Sequence, residues 1–592
     1  MNVAARPGSE PVAAVGVGGP AGPVARRLSV LTASAIALIA LVASPAALAR
    51  LLVGASSPYL FAVIQGVWLL KAAVLAHAVA LPALARAVAR LPEAGGLVKR
   101  EPAGRSPVRP RAAGEAGGGS GRLLIASSLV ALLGLGLALR LIDLGAGLWH
   151  DEIATLLEFG RLSPGEIIAT YPAQNQHILY SLLGRASLAI FGESAWALRL
   201  PAVVLGIGSL GATYWFGTQV ADRREAFLAT ALLTLSYHHV WFSQDARGYT
   251  GLMLFACLSS GLLLRLLRGE SARPWRVVLA YAATMSLAAY THLTAAFIAV
   301  AHGIVIAGLA WRQRRNLERW SLLLPVTALL LAATFTITLY ALVLPQLVET
   351  LFAPKAAFAQ TPWRNPLWLV AETMRGASRG LPAGWVGLVS GLGVVTAGTA
   401  SYYRRAPAVS MLMIVPVALT AAALIGFGHN LWPRFFFFGA GFAALIAVRG
   451  VFAMMRPLPG RWAVWAPSLG LGLAAAASAL TVPRAWAPKQ DYAGALAWVE
   501  HERAPDDGLA AAGLAAYAYG SWLHAPVTEV ERPQDLEAVE GAHGRTWLLY
   551  AFPTHLEALL PEVWTKVQTE YRRVAEFPGT VAGGTVYVMI RP

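Results

Sequence analysis

The stretch Gly147-Leu148-Trp149-His150-Asp151-Glu152-Ile153-Ala154 follows directly on an apolar run, Leu123 to Ile142, that is long enough to cross a bilayer as a helix. Two adjacent carboxylates and a histidine therefore stand where the chain has just left the hydrocarbon. Working outward, apolar runs of about 20 residues recur along the whole chain. The 592 residues are 57% hydrophobic and only 13% charged. No soluble core explains so many runs, so the fold class is a polytopic α-helical membrane protein. About 13 crossings are expected. They lie at about 28–53, 58–85, 123–142, 197–220, 226–242, 248–268, 275–291, 293–312, 320–345, 383–403, 408–428, 433–455 and 461–482.

The net charge of +16 does not point to nucleic acid, because Arg and Lys fall mostly in short loops between apolar runs, as the positive-inside bias dictates. Cys257 is the single cysteine, so no disulfide framework exists and the redox compartment is not legible. Residues 1–25 read as a disordered tail rich in Gly, Ala, Pro and Val. Residues 26–91 read as two N-terminal membrane helices. A signal peptide ending near Ala47-Leu48-Ala49 is the rival, disfavoured by the run's length. Residues 92–122, with Pro102, Pro107, Pro110, Lys99, Arg100, Arg105, Arg109, Arg111 and Arg122, read as a basic cytoplasmic linker.

With that linker inside, Asp151 lies outside. Arg223-Arg224, Arg265 to Arg276, Arg312 to Arg319, Arg404-Arg405 and Arg449 to Arg461 then all fall inside, provided that 177–192 lies in the interface and does not cross. The expectation is a multi-pass protein of the plasma membrane with a cytoplasmic N-terminus, a core over 123–483 and its site on the extracytoplasmic face. A long outer loop at about 346–382 carries Pro354, Pro362, Trp363, Arg364 and Trp368. After Pro483 charges spread evenly. Residues 484–592 read as an extracytoplasmic α/β domain, with helices at 491–502, 533–542 and 555–570 and strands at 508–513, 546–552 and 585–590.

A carboxylate at a membrane surface is a good general base when it stays ionised and reaches an incoming hydroxyl, which makes Asp151 and Glu152 the catalytic candidates. A solvated acidic pair is the bland alternative. Arg199, Arg247 and Arg434 all fall on the same expected outer face, against the positive-inside bias, and a guanidinium fork suits a membrane-anchored phosphate. Anchoring of helix ends to head groups is their bland alternative. His150, His177 and His292 lie on that face as candidate substrate or metal contacts. A divalent cation (Mg, Mn or Ca) is a candidate cofactor, although no metal-ligand spacing appears.

The order of these motifs resembles a known superfamily. A crossing helix is followed by Asp151-Glu152, then a short helix opened by His177 with Leu179-Tyr180. Trp196-Ala197-Leu198-Arg199-Leu200-Pro201, Ala246-Arg247-Gly248-Tyr249, Tyr290-Thr291-His292 and Pro433-Arg434-Phe435 follow. This is similar to the GT-C membrane glycosyltransferases, in the branch of protein O-mannosyltransferases and lipid A aminoarabinose transferases, over about 120–482. The resemblance implies a polyprenyl-phosphate sugar donor, inversion at the anomeric carbon and Asp151 as base toward an acceptor hydroxyl on a glycan, lipid or protein. It implies that Glu152 orients donor or metal, and that Arg247, Arg434, Arg199 and Tyr249 meet the donor phosphate. At the short helix the family often has His-Pro-Pro or His-x-Pro-Leu, where this chain has His177-Ile178-Leu179.

Two other functions share the arginines. A flippase of lipid-linked sugars has no need of Asp151 and usually shows paired half-repeats. A non-catalytic subunit of cell-envelope polysaccharide assembly would keep the fold without the acidic pair's chemistry.

Overall fold

Some helix starts in this chain are set by short polar caps. Ser194 accepts from the Ala197 amide at the head of Ala195–Val220, and Asp222 accepts from the Glu225 amide at the head of Arg223–Thr234. Gly269, at φ 67°, ends Tyr249–Arg268 in the left-handed conformation that glycine adopts without strain. The computed structural model describes residues 34, 37, 38, 40–89, 98, 118–173, 175–271, 273–315, 319–352, 365–380 and 384–592. The expected tail, most of the basic linker, and Pro354, Pro362, Trp363 and Arg364 lie outside the described residues.

Among the described residues nine helices are long and apolar enough to cross a bilayer: Leu60–Ala80, Leu123–Leu141, Ala195–Val220, Tyr249–Arg268, Ala295–Arg312, Ser321–Tyr340, Pro407–Gly426, Pro433–Met454 and Trp462–Trp486. The expected count of about 13 is not reached there. Two expected crossings are broken. Within 28–53 the chain kinks at Ser44 and restarts with Pro45 as the first residue of the nine-residue helix Pro45–Val53. The run 226–242 is two helices, Arg223–Thr234 and Tyr237–Ser243, parted at Leu235-Ser236. The Thr234 carbonyl exposed by that break accepts from the buried Arg140, which also bonds His239 Nδ1 at 2.8 Å and Ser243 Oγ at 3.1 Å. Helices also form at Pro274–Thr291 and Gly384–Arg405, which the nine do not include.

The apolar helix Ile178–Phe191 has 14 residues, about 21 Å at 1.5 Å per residue. That is shorter than the roughly 30 Å hydrocarbon core, in keeping with a segment that does not cross. Gly384–Arg405 and Ala440–Met454 pack backbone to backbone. A Cβ at Gly398 would collide with the Ile446 carbonyl, and one at Gly450 with the Val394 carbonyl. At the other end of the chain, Leu60–Ala89 meets the Leu342 backbone through Gly66, and Lys71 Nζ donates to the Ala43 carbonyl at 2.9 Å.

The C-terminal region carries one five-stranded sheet of order β2-β1-β3-β5-β4. Its strands are β1 (Gly508–Ala512), β2 (Thr528–Val530), β3 (Thr546–Ala551), β4 (Arg572–Phe577) and β5 (Val586–Arg591). β2, β1 and β3 run parallel, while β5 is antiparallel to both β3 and β4. Neither β2 nor β4 is expected from the sequence pattern. The helix expected at 555–570 splits into Pro553–Leu559 and Pro561–Glu570, because Pro561 cannot continue a helix. The carboxyl ends of β1 and β3 turn at Gly513 (φ 62°) and Phe552 (φ 53°). One apolar cluster joins Leu148, Ile153 and Leu156 to Tyr492, Leu509, Ala515, Tyr519 and Val588, so the sheet domain is packed onto the acidic loop.

Candidate active site

The loop after Leu123–Leu141 turns into a five-residue helix, His150–Ala154, that places Asp151 and Glu152 on different sides. Glu152 faces inward and its side chain is fully buried. Its carboxylate accepts from Arg199 Nε at 2.7 Å and Nη2 at 2.5 Å, from the Ala246 amide at 2.8 Å and from the Trp149 amide at 3.4 Å. Arg199 gives its remaining donors to the carbonyls of Leu144 (2.9 Å), Ala146 (2.7 Å) and Gly147 (2.9 Å). All five guanidinium N–H groups are thereby spent. This corrects the expectation for Arg199: it has no donor left for a phosphate, and it ties the loop to Glu152. Glu152 likewise serves the loop and has no edge turned to a substrate. Burial alone would raise its pKa, but Arg199 and Lys489 hold it below the ordinary glutamate value.

Trp149 is the next anchor. Its indole Nε1 donates to Asp245 Oδ1 at 2.9 Å. Burial and the neighbouring Glu152 charge push the Asp245 carboxyl up from the usual aspartate value. Lys489, from the segment leading into the sheet domain, donates to the Gln244 carbonyl at 2.6 Å and lies 3.9 Å from Glu152 Oε1.

Asp151 faces the other way. Arg434 Nη1 lies 3.2 Å from its Oδ2, and the Asp151 side chain is 12% exposed against 0% for Glu152. Burial opposes its ionisation, yet Arg434 and Arg247 hold its carboxyl below the ordinary value, so it is a carboxylate at neutral pH. Arg434 is braced over the Trp432 ring at 5.0 Å and the Trp149 ring at 6.0 Å. Arg247 donates to Thr155 Oγ1 at 3.1 Å and to Asn175 Oδ1. The Nε groups of both arginines are buried and have no hydrogen-bond partner among the described residues. Buried donors are normally paired, so two such groups beside one carboxylate mark a place for an anion.

The histidines divide by their bonds. His177 Nδ1 accepts from the Gly248 amide at 2.9 Å, and His292 Nδ1 accepts from Thr294 Oγ1 at 2.8 Å. Arg247 Nη2 lies 3.4 Å from His177 Nε2, so the His177 ring bridges the Gly248 amide and the guanidinium. The rings of His177 and His292 stack edge to face at 4.7 Å, with Tyr249 against both at 5.4 and 5.7 Å. Tyr249 is buried in this aromatic floor. A Cβ at Gly248 would lie 2.6 Å from Thr291 Cγ2, so only glycine fits there. His150 sits under the sheet domain: its amide donates to Gln490 Oε1 at 2.9 Å and its ring meets Tyr517 and Phe552 edge-on. No group of three or more His, Cys, Asp or Glu side chains gathers into a metal cage among the described residues.

The fold brings Asp151, Arg247, Arg434, His177, His292 and Tyr249 to one place, and turns Arg199 and Glu152 away from it. It adds residues not singled out in the sequence: Asp245, Asn175, Thr155, Lys489, Glu158 and His555. Glu158 is hydrogen-bonded to the Tyr517 phenol, and burial raises its carboxyl above the usual range. His555 is pushed down to about 4, by burial first and then by the nearby His150 and Arg434 charges. Asp245 was visible in Ser243-Gln244-Asp245-Ala246-Arg247, where an acid two residues before a candidate arginine is a signal in itself.

Residues 175–338 match a family described as dolichyl-phosphate-mannose-protein mannosyltransferase. A search of curated proteins gives no match. Among solved structures, ArnT from Cupriavidus metallidurans bound to undecaprenyl phosphate is 12% identical, with a TM-score of 0.44, over 80% of this chain and 98% of that one. The oligosaccharyltransferase AglB from Archaeoglobus fulgidus, in complex with an inhibitory peptide and a dolichol-phosphate, is 13% identical, with a TM-score of 0.46, over 79% of this chain and 74% of that one. The arabinosyltransferase EmbB from Mycobacterium smegmatis is 14% identical, with a TM-score of 0.39, over 74% and 42%. The family match spans His177, Arg199, Asp245, Arg247, Tyr249 and His292. It stops short of Asp151 and Arg434. Over residues 175–338 this membrane protein is similar to the dolichyl-phosphate-mannose-protein mannosyltransferases, in agreement with the GT-C resemblance of its motifs.

Proposed function

We propose that the protein is an inverting glycosyltransferase that moves a sugar from a polyprenyl-phosphate carrier to an acceptor hydroxyl on the extracytoplasmic side of the membrane. The observation that carries this reading is the pair of unsatisfied buried Nε groups of Arg247 and Arg434 flanking the ionised Asp151. The family description, which names a dolichyl-phosphate-linked mannose, supports the carrier. The donor phosphate takes the open edges of the two guanidinium groups. Asp151 accepts the acceptor's hydroxyl proton, the acceptor oxygen attacks the anomeric carbon from the face opposite the phosphate, and the carbon–phosphate oxygen bond breaks. The electron pair leaves with the phosphate, where two fixed cations meet the developing charge. His177, His292 and Tyr249 form the apolar floor beneath Arg247 and hold its loop through the Gly248 amide.

The site in this reading needs Asp151 and no nucleotide. The test is sugar transfer by the full chain in nanodiscs from labelled polyprenyl-phosphate sugars, comparing wild type with Asp151→Asn, with the product anomer read by NMR. Transfer with inversion, lost in the variant, is the expected result. A variant as active as wild type, or a product with retained configuration, overturns the assignment.

A further inference from the structure

The membrane core and the sheet domain are joined by a strap that follows the four-residue helix Pro483–Trp486 and ends at Gln490. Its outer edge belongs to the sheet domain. The Thr580 amide donates to the Pro488 carbonyl at 3.0 Å, and the Val581 amide donates to the Lys489 carbonyl at 3.3 Å. Its inner edge belongs to the core, where Trp486 Nε1 donates to the Leu139 carbonyl at 3.0 Å. Between the two edges the Lys489 side chain, 5% exposed, plunges into the acidic cluster. Its Nζ donates to the Gln244 carbonyl at 2.6 Å, lies 5.1 Å from the Trp241 ring centre and 3.9 Å from Glu152 Oε1.

Lys489 ties this cluster to the strap from the sheet-domain side. Arg199 answers Glu152 through the two-pronged pair. Asp245 takes the Trp149 indole on Oδ1, and the Lys489 and Arg247 charges lie near it. Without Lys489 the Gln244 carbonyl loses its buried donor and the Glu152–Asp245 pair loses a neighbouring cation. Either change acts on the bond that holds Trp149, and Trp149 is two residues from Asp151 and stacks against Arg434.

We propose that Lys489 is a positioning residue: seated from the interdomain strap, it pins the Gln244–Asp245 turn beside Glu152 and so holds Trp149 and the Asp151 base in register with Arg434. Docking of the sheet domain then sets the pose of the base. The inference rests on the glycosyltransferase reading for its kinetic consequence, but not for its structural one.

The test uses the full chain in nanodiscs and two variants, Lys489→Met and Lys489→Arg. Turnover in Lys489→Met drops about ten- to a hundredfold, the scale of a base displaced by an ångström or so. Its KM for the labelled polyprenyl-phosphate sugar stays within about twofold, because Lys489 touches no donor group. Lys489→Arg keeps most of the turnover. Burial lowers Lys489 to about 8, against the Glu152 and Asp245 charges and alongside Arg199, so wild-type turnover falls as pH rises through that value. Arginine does not titrate there, and its variant holds its turnover to higher pH.

Deuterium exchange over 148–156 supplies a readout without substrate. It is faster in Lys489→Met and unchanged in Lys489→Arg. If the methionine variant does not fold, the arginine variant's shifted alkaline limb still decides. Unchanged turnover and exchange in Lys489→Met overturn the proposal, as does an alkaline limb that Lys489→Arg leaves in place. If wild type transfers no sugar while exchange behaves as stated, the positioning role stands and the enzymatic reading falls.

Discussion

Glu152 accepts from both prongs of Arg199 and from the Ala246 amide, inside a shell where every guanidinium donor has a partner. Asp151, one residue earlier, meets Arg434 at 3.2 Å, and the Nε groups of Arg434 and Arg247 beside it are unmatched. Both acids are ion-paired, but the two pairs do different things. A buried pair repays its desolvation only when its geometry is good and its remaining donors are satisfied, and the Glu152–Arg199 side meets that condition. A satisfied cluster has nothing left to offer a ligand. The Asp151 side stores unmet hydrogen-bonding capacity, which a phosphate and a hydroxyl would use. The first region fixes the loop so that the second can stay incomplete.

The comparison breaks most sharply at Asp151. Asp151→Asn lowers transfer by about 10²–10⁴-fold, the range for losing a general base, and costs less stability than Glu152→Gln, because Arg434 keeps 27% of its side chain exposed. Loss of stability without loss of turnover would reverse the two roles. On the other side, Glu152→Gln strands a buried guanidinium and destabilises the fold by about 3–5 kcal/mol, measured by chemical unfolding in detergent. The double variant Glu152→Gln/Arg199→Met recovers part of that loss, since no charge is then left unpaired.

Arg247→Gln sharpens the contrast among the arginines. It weakens binding of a short-chain polyprenyl phosphate by about ten- to a hundredfold, the worth of a charge-assisted hydrogen bond, read by calorimetry. The pH profile tests the same cations. Asp151 has a folded pKa below its unfolded one, so the ionised base, and the stability its pairing contributes, are present above the unfolded value and lost as pH falls through the folded one. Arg434→Gln removes the nearest cation, raises that pKa and moves the acidic limb of transfer to higher pH. At the small end stands the exposed pair Arg161–Glu193, with side chains 45% and 44% exposed. Glu193→Gln changes stability by less than about 1 kcal/mol.

Much of this arrangement is visible in the chain. The crossing helices follow from run length, and the acidic pair and Arg247 and Arg434 from residue type at helix ends. Which arginine answers which acid is not visible, because Arg199, Arg247 and Arg434 have the same chemistry and similar expected depth. Only the carbonyls of Leu144, Ala146 and Gly147, gathered around Arg199 by the turn of the loop, decide that it is spent. Lys489 is hidden for a different reason. It lies more than 300 residues from Glu152 in the chain, in Ala487-Pro488-Lys489-Gln490, and no local pattern announces a cation bound for a distant carboxylate. The break at Leu235-Ser236 is partly legible in Ser236, His238 and His239, polar residues inside an otherwise apolar run, but the Arg140 that meets His239 and the Thr234 carbonyl comes from another helix.

The interlocked glycines Gly398 and Gly450 bear on how a lipid could come and go. Arg434 stands at the head of the segment Pro433–Met454, and the far part of that segment is keyed into Gly384–Arg405 by backbone touching backbone. A piston stroke of one turn, about 5.4 Å, would drive side chains into both contact points. The post that carries Arg434 is therefore keyed against sliding past Gly384–Arg405. A carrier phosphate bound by Arg434, as proposed above, would then meet it at one height, whatever the length of the carrier's tail.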